Sequence, residues 1–313
     1  MSNLYLPEGR LLHTPENQAA CASLPALRQA MVQQTILEGR AVLSTPEHDL
    51  SVSFGPFTGI IPREEAAMGI REGTAREIAI LSRVGKPVSF CITSLDGTDG
   101  PQPQFRLSRR QAQEMALDHY ASCPPGTVLP ATVTHLDSFG AFVDIGCGLV
   151  SMIGIEACSV SRLSHTACRF TEGQDIFVVM TGYDPEQRRI FLSHKELLGT
   201  WEENAARFSV GMTVPGWVRG VKPYGTFIEL APNLTGLADQ TDGLNENERV
   251  SVYIKSILPD RMKVKLSILH KLEPTPEPAP LFYFITQGQL ERWDYAPASC
   301  PRQDLNRSFS ASP

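Results

Sequence analysis

Four aromatic side chains have the type and spacing to do chemistry. Phe139 and Phe142 recur downstream as Tyr224 and Phe227, at the same separation within each pair. The first ring lies thirteen residues after a leading glycine in both copies (139 − 126 and 224 − 211), and the second lies sixteen after it (142 − 126 and 227 − 211). Read as a strand, the stretch Gly140 to Gly146 alternates two faces. Ala141, Val143 and Ile145 make a core face, while Phe142 and Asp144 point to the wet side. In the second copy Thr226, Ile228 and Leu230 face the core, and Phe227 and Glu229 face out. A ring held on the polar side of a sheet presents a flat apolar surface, and the chemistry open to it is stacking on another planar group.

The elements that must position these rings are themselves repeated. Gly126-Thr-Val-Leu-Pro130 matches Gly211-Met-Thr-Val-Pro215. Gly148-Leu149 is aligned with Gly236-Leu237, and both copies close on a hydrophobic strand ending in Leu-Ser, at Ser193 and Ser267. Internal repeats decide the architecture, so the chain is read as tandem copies of one small β unit. A degenerate copy precedes them. Leu50, Val52 and Phe54 take the core positions, Ser51 stands where the later copies have Phe142 and Phe227, and His48 stands at the place of Phe139. Phe105 to Arg110 closes this copy.

The glycine-flanked aromatic pairs resemble the S-one RNA-binding domain, the repeat of the bacterial small-subunit ribosomal protein S-one family. The resemblance implies a mainly β fold of tandem five-stranded OB-type barrels joined by short helices. It also implies that Phe139, Phe142, Tyr224 and Phe227 lie on a nucleic-acid face. In the family an acidic residue before the last turn and a basic one after it flank the RNA path, and Asp184 with Arg188 or Arg189 match those roles. A His often follows the Gly-Leu-Val of the third strand; here Ser151 and Asp239 stand at that place. The wording from Leu192 to Asn204, with Leu6-Pro-Glu-Gly9 and Arg63-Glu-Glu-Ala66, is similar to the short clostridial members.

Composition narrows the function classes. The 313 residues carry a net charge of −6, with 42% hydrophobic and 20% charged residues, as in a soluble globular chain rather than a polycation. Single strands can be held by stacking with a local basic patch. Arg188, Arg189, Lys222, Arg261, Lys263 and Lys265 supply candidates for phosphate contacts, and Lys263 and Lys265 share one strand face. Arg188 and Arg189 are equally readable as a solvated turn, and Phe142 and Phe227 as rings packed beneath a neighbouring domain. Arg71, Arg76 and Arg83 are further basic residues, most simply read as solvated. The seven cysteines form no Cys-x-x-Cys pair, which suits a reducing cytoplasmic compartment, and no metal or cofactor is expected. Met1 to Glu8 has no signal-peptide pattern, no run reaches membrane-spanning length, and no catalytic motif is present.

The expected organisation is a lead-in with a short helix over 1–36, a degenerate barrel over 37–116, barrels over 123–198 and 208–271, and a Pro-rich linker and tail over 272–313. Between them, 111–122 reads as a helix and Lys195 to Phe208 as a helical linker. Ser159 to Thr171 lengthens one link, with Arg162, His165 and Arg169 at helix-compatible spacing. Leu281 to Tyr295 alternates weakly and is read as a hairpin, and Pro301 to Pro313 as a loose tail. The functional expectation is a non-enzymatic protein that binds single-stranded RNA (mRNA) at the small ribosomal subunit, with its RNA affinity concentrated in 123–271. The alternatives are a protein-interaction scaffold, or an RNA-decay or transcription accessory.

Overall fold

The computed structural model describes residues 5–96, 103–275, 278 and 280–309. Three closed five-stranded barrels follow one another along the chain. Barrel 1 is β1 (Leu37–Ser44), β2 (Leu50–Phe54), β3 (Phe57–Ile61), β4 (Pro87–Asp96) and β5 (Gln104–Ser108). Barrel 2 is β6 (Val128–Leu136), β7 (Gly140–Asp144), β8 (Val150–Gly154), β9 (Asp175–Asp184) and β10 (Arg189–Ser193). Barrel 3 is β11 (Thr213–Lys222), β12 (Gly225–Ala231), β13 (Leu234–Ala238), β14 (Arg249–Leu258) and β15 (Lys263–Lys271). In each, the first three strands form an antiparallel meander, and the third pairs in parallel with the fifth. That closure removes free sheet edges. The fold is therefore the mainly β, tandem OB-type arrangement that the resemblance implied. Among the described residues no helix is long and apolar enough to cross a membrane, and all seven cysteines are free.

The chain divides into two compact units, residues 1–122 with 144–150, and residues 123–143 with 151–313. In the first, alternation along β2 buries Leu50, Val52 and Phe54, and the Phe54 ring meets those of Phe90 and Phe105 at centroid distances of 5.1 and 5.4 Å. Helix Leu24–Val32, capped by Ser23, adds Leu27 to this core. The lead-in is tied down by Glu38, which accepts the backbone N–H groups of Gly9, Leu11 and Leu12. Glu8 of the Leu6-Pro-Glu-Gly9 motif pairs with Arg109 at 2.6 Å. Asp144, expected on the wet face, is buried. It accepts the N–H groups of Glu8, Gly146 and Gly148, and burial pushes its carboxyl up to about 7.

In the second unit the core of barrel 3 is continuous with the C-terminal segment and with Val128 and Val179 of barrel 2, a shared core between them. That segment overturns the hairpin reading of Leu281 to Tyr295. Gly288 and Leu290 bond to the main chain of Val128 and Gly126 at the start of barrel 2, both at 2.9 Å. Tyr295 donates its hydroxyl to the Asn233 carbonyl of barrel 3 at 2.7 Å. Leu290, Trp293, Tyr295 and Phe309 are all buried in the shared core. The strand pairing here, β16 (Arg292–Trp293) with β17 (Arg307–Ser308), joins residues about fifteen positions apart rather than the arms of a tight hairpin. The loose-tail reading thus fails for 301–309, while 310–313 lie outside the described residues, as do 276, 277 and 279 of the Pro-rich stretch. The link from Lys195 is a 3-10 turn, Lys195–Leu198, then helix Trp201–Ala205, opened by a reciprocal Thr200–Glu203 capping box. Trp201 is buried in the shared core.

Candidate nucleic-acid interface

Strand alternation does bring the rings out. Phe139 and Tyr224 are 53% and 69% exposed, and Phe142 and Phe227 are half-buried. Within each pair the two rings stand perpendicular, at 88° in both, with centroids 6.0 Å apart in barrel 2 and 6.1 Å in barrel 3. The glycine after the first ring makes this possible. A Cβ on Gly140 would lie 2.8 Å from the Ile153 carbonyl oxygen, and one on Gly225, at φ +146°, would lie 2.5 Å from that of Ala238. Neighbouring backbones therefore approach closely beside the rings.

Cross-strand register places each second ring in a row. In barrel 3 the row is Gly220, Phe227, Leu237 and Lys265. In barrel 1 it is Leu43, Ser51, Ile60 and Arg106. In barrel 2, Met152 pairs with Phe191, and Phe142 stacks on His135 at 6.0 Å and 30°. The rows make Met152 the counterpart of Leu237, at the same offset of 85 positions that relates Phe142 to Phe227 (237 − 152, 227 − 142). The Gly-Leu pairs at 148 and 236 are therefore not structurally equivalent, and neither are Ser151, which is buried, and Asp239, which is exposed. The register confirms Ser51 as the counterpart of the second ring.

The predicted polar residues fall as follows. Arg188, Arg189, Lys222, Arg261, Lys263 and Lys265 are exposed. Arg188 sits in the left-handed region, φ +51°, in the turn between β9 and β10. The Arg189 guanidinium lies 5.9 Å from the Phe191 ring centroid. Asp184 accepts the N–H groups of Glu186 and Gln187, so its carboxylate closes its own turn. Lys222 and the Tyr224–Phe227 pair line one groove. In barrel 1, Arg71 pairs with Glu65 and Arg83 with Glu8.

Two groups escaped the sequence reading. His135 and the exposed Phe191 extend the aromatic surface of barrel 2, and only cross-strand pairing shows that they belong with Phe142. Glu229, expected to face solvent, is 1% exposed. It pairs with Arg169, which is fully buried, and with Arg219 at 2.6 Å. The segment holding Arg162, His165 and Arg169 is not one helix but a short turn of helix, Ile155–Cys158, and a 3-10 turn, Thr166–Cys168.

Comparison with known proteins fits this geometry. Residues 123–195 match the S1 RNA binding domain. The chain is similar to the small ribosomal subunit protein bS1 of Leuconostoc lactis, 31% identical over 57% of this chain and 45% of that one. It is also similar to the bS1 homolog of Bacillus subtilis, 30% identical over 62% of this chain and 54% of that one. A 4-hydroxy-3-methylbut-2-enyl diphosphate reductase of Fusobacterium nucleatum is 30% identical over 48% of this chain but only 20% of its own length. The chain spans about half the length of the two bS1 relatives. The matched S1 RNA binding domain thus coincides with barrel 2, and barrels 1 and 3 share its strand topology.

Proposed function

We propose that the second unit binds single-stranded RNA across barrels 2 and 3, with bases stacking on Phe139 and Phe142 and on Tyr224 and Phe227. The observation that carries this is the same perpendicular ring pair, exposed at the same place on two barrels. Arg188, Arg189, Lys222, Arg261 and Lys263 supply positive charge along the path, and Asp184 shapes the turn that presents Arg188. The protein acts as a non-enzymatic binder that holds mRNA near the small ribosomal subunit in the cytoplasm, a reading supported by its similarity to bS1 proteins. Barrel 1 has a different part. Its corresponding row offers exposed Leu43 and Ile60 around Ser51, with no ring. An aliphatic surface of this kind suits docking on a protein better than stacking on bases, so the first unit carries any partner contact.

The test is binding of a labelled single strand of about twenty nucleotides to the whole chain and to Phe142→Ala and Phe227→Ala variants. Each is expected to lose about 1–3 kcal/mol, one stacked base, with an unchanged melting transition. The plot of log affinity against log salt should be shallow, about −0.7 per neutralised phosphate over a handful of phosphates. Parental affinity in both variants would remove the stacking reading.

A further inference from the structure

The groove beside Tyr224 and Phe227 has a second wall that no strand of barrel 3 provides. It encloses about 960 Å³, within the range of sites that hold a small molecule or one segment of a chain. That wall is the link between β8 and β9 of barrel 2, residues 155–164, carrying Arg162. The link is eleven residues longer than its counterpart in barrel 3. The offset between the barrels is 85 at Met152 and Leu237 but 74 at Phe191 and Lys265. The link is held in place rather than left loose. Asn233 of barrel 3 accepts the Val160 N–H at 3.0 Å, and the Ser161 hydroxyl lies 2.9 Å from that of Thr235.

Charge gives the groove its occupant. Arg162 and Lys222 are exposed on opposite walls, and among the described residues neither makes an ion pair. Many other surface basic residues of this acidic chain are neutralised, such as Arg63 by Glu77, Lys255 by Asp239 and Lys271 by Glu248. The serine hydroxyls of the link are already engaged within the protein, so its charge rather than its hydroxyls is what it offers a ligand. Glu156 and Glu246 line the same groove, but the cations Arg162, Lys195 and Lys222 outnumber them, and this excess of positive charge beside a stacking pair suits a polyanion that also carries flat rings.

We infer that a single RNA strand leaves the Tyr224–Phe227 pair through this groove, and that Arg162 neutralises a phosphate there as the strand crosses between barrels 3 and 2. The inference rests on the proposed RNA binding and adds to it a contact surface outside the ring-bearing faces. The long link of barrel 2 then has a function, to carry a cation to the crossing point.

The experiment uses the full chain and the labelled strand of about twenty nucleotides, with Arg162→Ala, Arg162→Lys, Phe142→Ala and Phe227→Ala. Arg162 is exposed, so the melting transition should not move. Arg162→Ala is expected to make the salt slope shallower by about 0.7 and to weaken binding about fourfold at 0.15 M salt, the effect of one phosphate contact. Arg162→Lys should restore the slope. A strand carrying 4-thiouridine should crosslink to the peptide spanning 155–164. If the phenylalanine variants bind weakly while Arg162→Ala keeps the parental slope and the peptide takes no crosslink, the groove is off the path and the inference is wrong, with RNA binding intact. If none of the variants changes binding, the RNA reading fails and this inference falls with it.

Discussion

Acid should loosen the second unit through one residue, His194. Its imidazole is fully buried, with Nδ1 2.8 Å from the Cys158 carbonyl oxygen and Nε2 2.9 Å from the Tyr283 hydroxyl. The consistent tautomer donates from Nδ1 to the carbonyl and accepts the Tyr283 O–H at Nε2, leaving no place for a second proton. Burial pushes the imidazole down to about 3. The bond to Cys158 opposes that shift, and the Arg169 guanidinium adds to it. The unfolded chain binds this proton below about 6.5, whereas the folded chain stays neutral until about 3. Between those values the unfolded state holds more protons, so stability falls as pH falls. The slope is about 1.4 kcal/mol per pH unit, giving a loss of about 2.7 kcal/mol at pH 4.5 relative to pH 7.5. The assay is urea unfolding of the parent and of His194→Gln at pH 7.5, 5.5 and 4.5. Other titrating groups contribute to both proteins, so the difference between their pH slopes isolates this side chain. Equal slopes from pH 6.5 to 4.5, or an imidazole resonance of His194 titrating near 6.5 in the folded protein, would refute the reasoning.

Two further outcomes follow from buried groups. Glu229→Ala leaves Arg169 and Arg219 buried without their shared carboxylate, and is expected to cost about 3–5 kcal/mol in denaturant unfolding; a loss below about 1 kcal/mol would mean that the two guanidinium groups reach water. A fragment ending at residue 271 lacks Leu290, Trp293, Tyr295 and Phe309 of the shared core, each contributing on the order of 1.5–3 kcal/mol when fully buried. Calorimetry should show one cooperative transition for 123–313 and a weakened or split one for 123–271, and equal transitions would make the C-terminal segment dispensable.

The rings could be placed from sequence because alternation along a strand is local. Whatever closes the barrel, Phe142 and Phe227 lie opposite Val143 and Ile228, and the repeated spacing shows that the arrangement occurs twice. The same rule misplaced Asp144 and Glu229. Alternation says which face of the strand a side chain leaves from, but not what covers that face. Arg169, sixty positions away, buries Glu229, and the lead-in at Glu8 covers Asp144. The Gly-Leu pairs misled for a related reason, since a two-residue match carries no register, whereas the ladder from Met152 to Phe191 and from Leu237 to Lys265 does. His135 meets Phe142 across the short β6–β7 turn, whereas Phe191 joined the ring site only through the pairing of β10 with β8, far apart in the chain. The C-terminal segment is the extreme case. Its composition reads as a linker and a tail, because the partners that order it, at Gly126, Leu197 and Asn233, lie in other elements. Local periodicity thus determined the repeated strands and the direction of their rings, while burial of charge, the walls of the groove and the docking of the C-terminal segment are non-local contacts that only the folded chain decides.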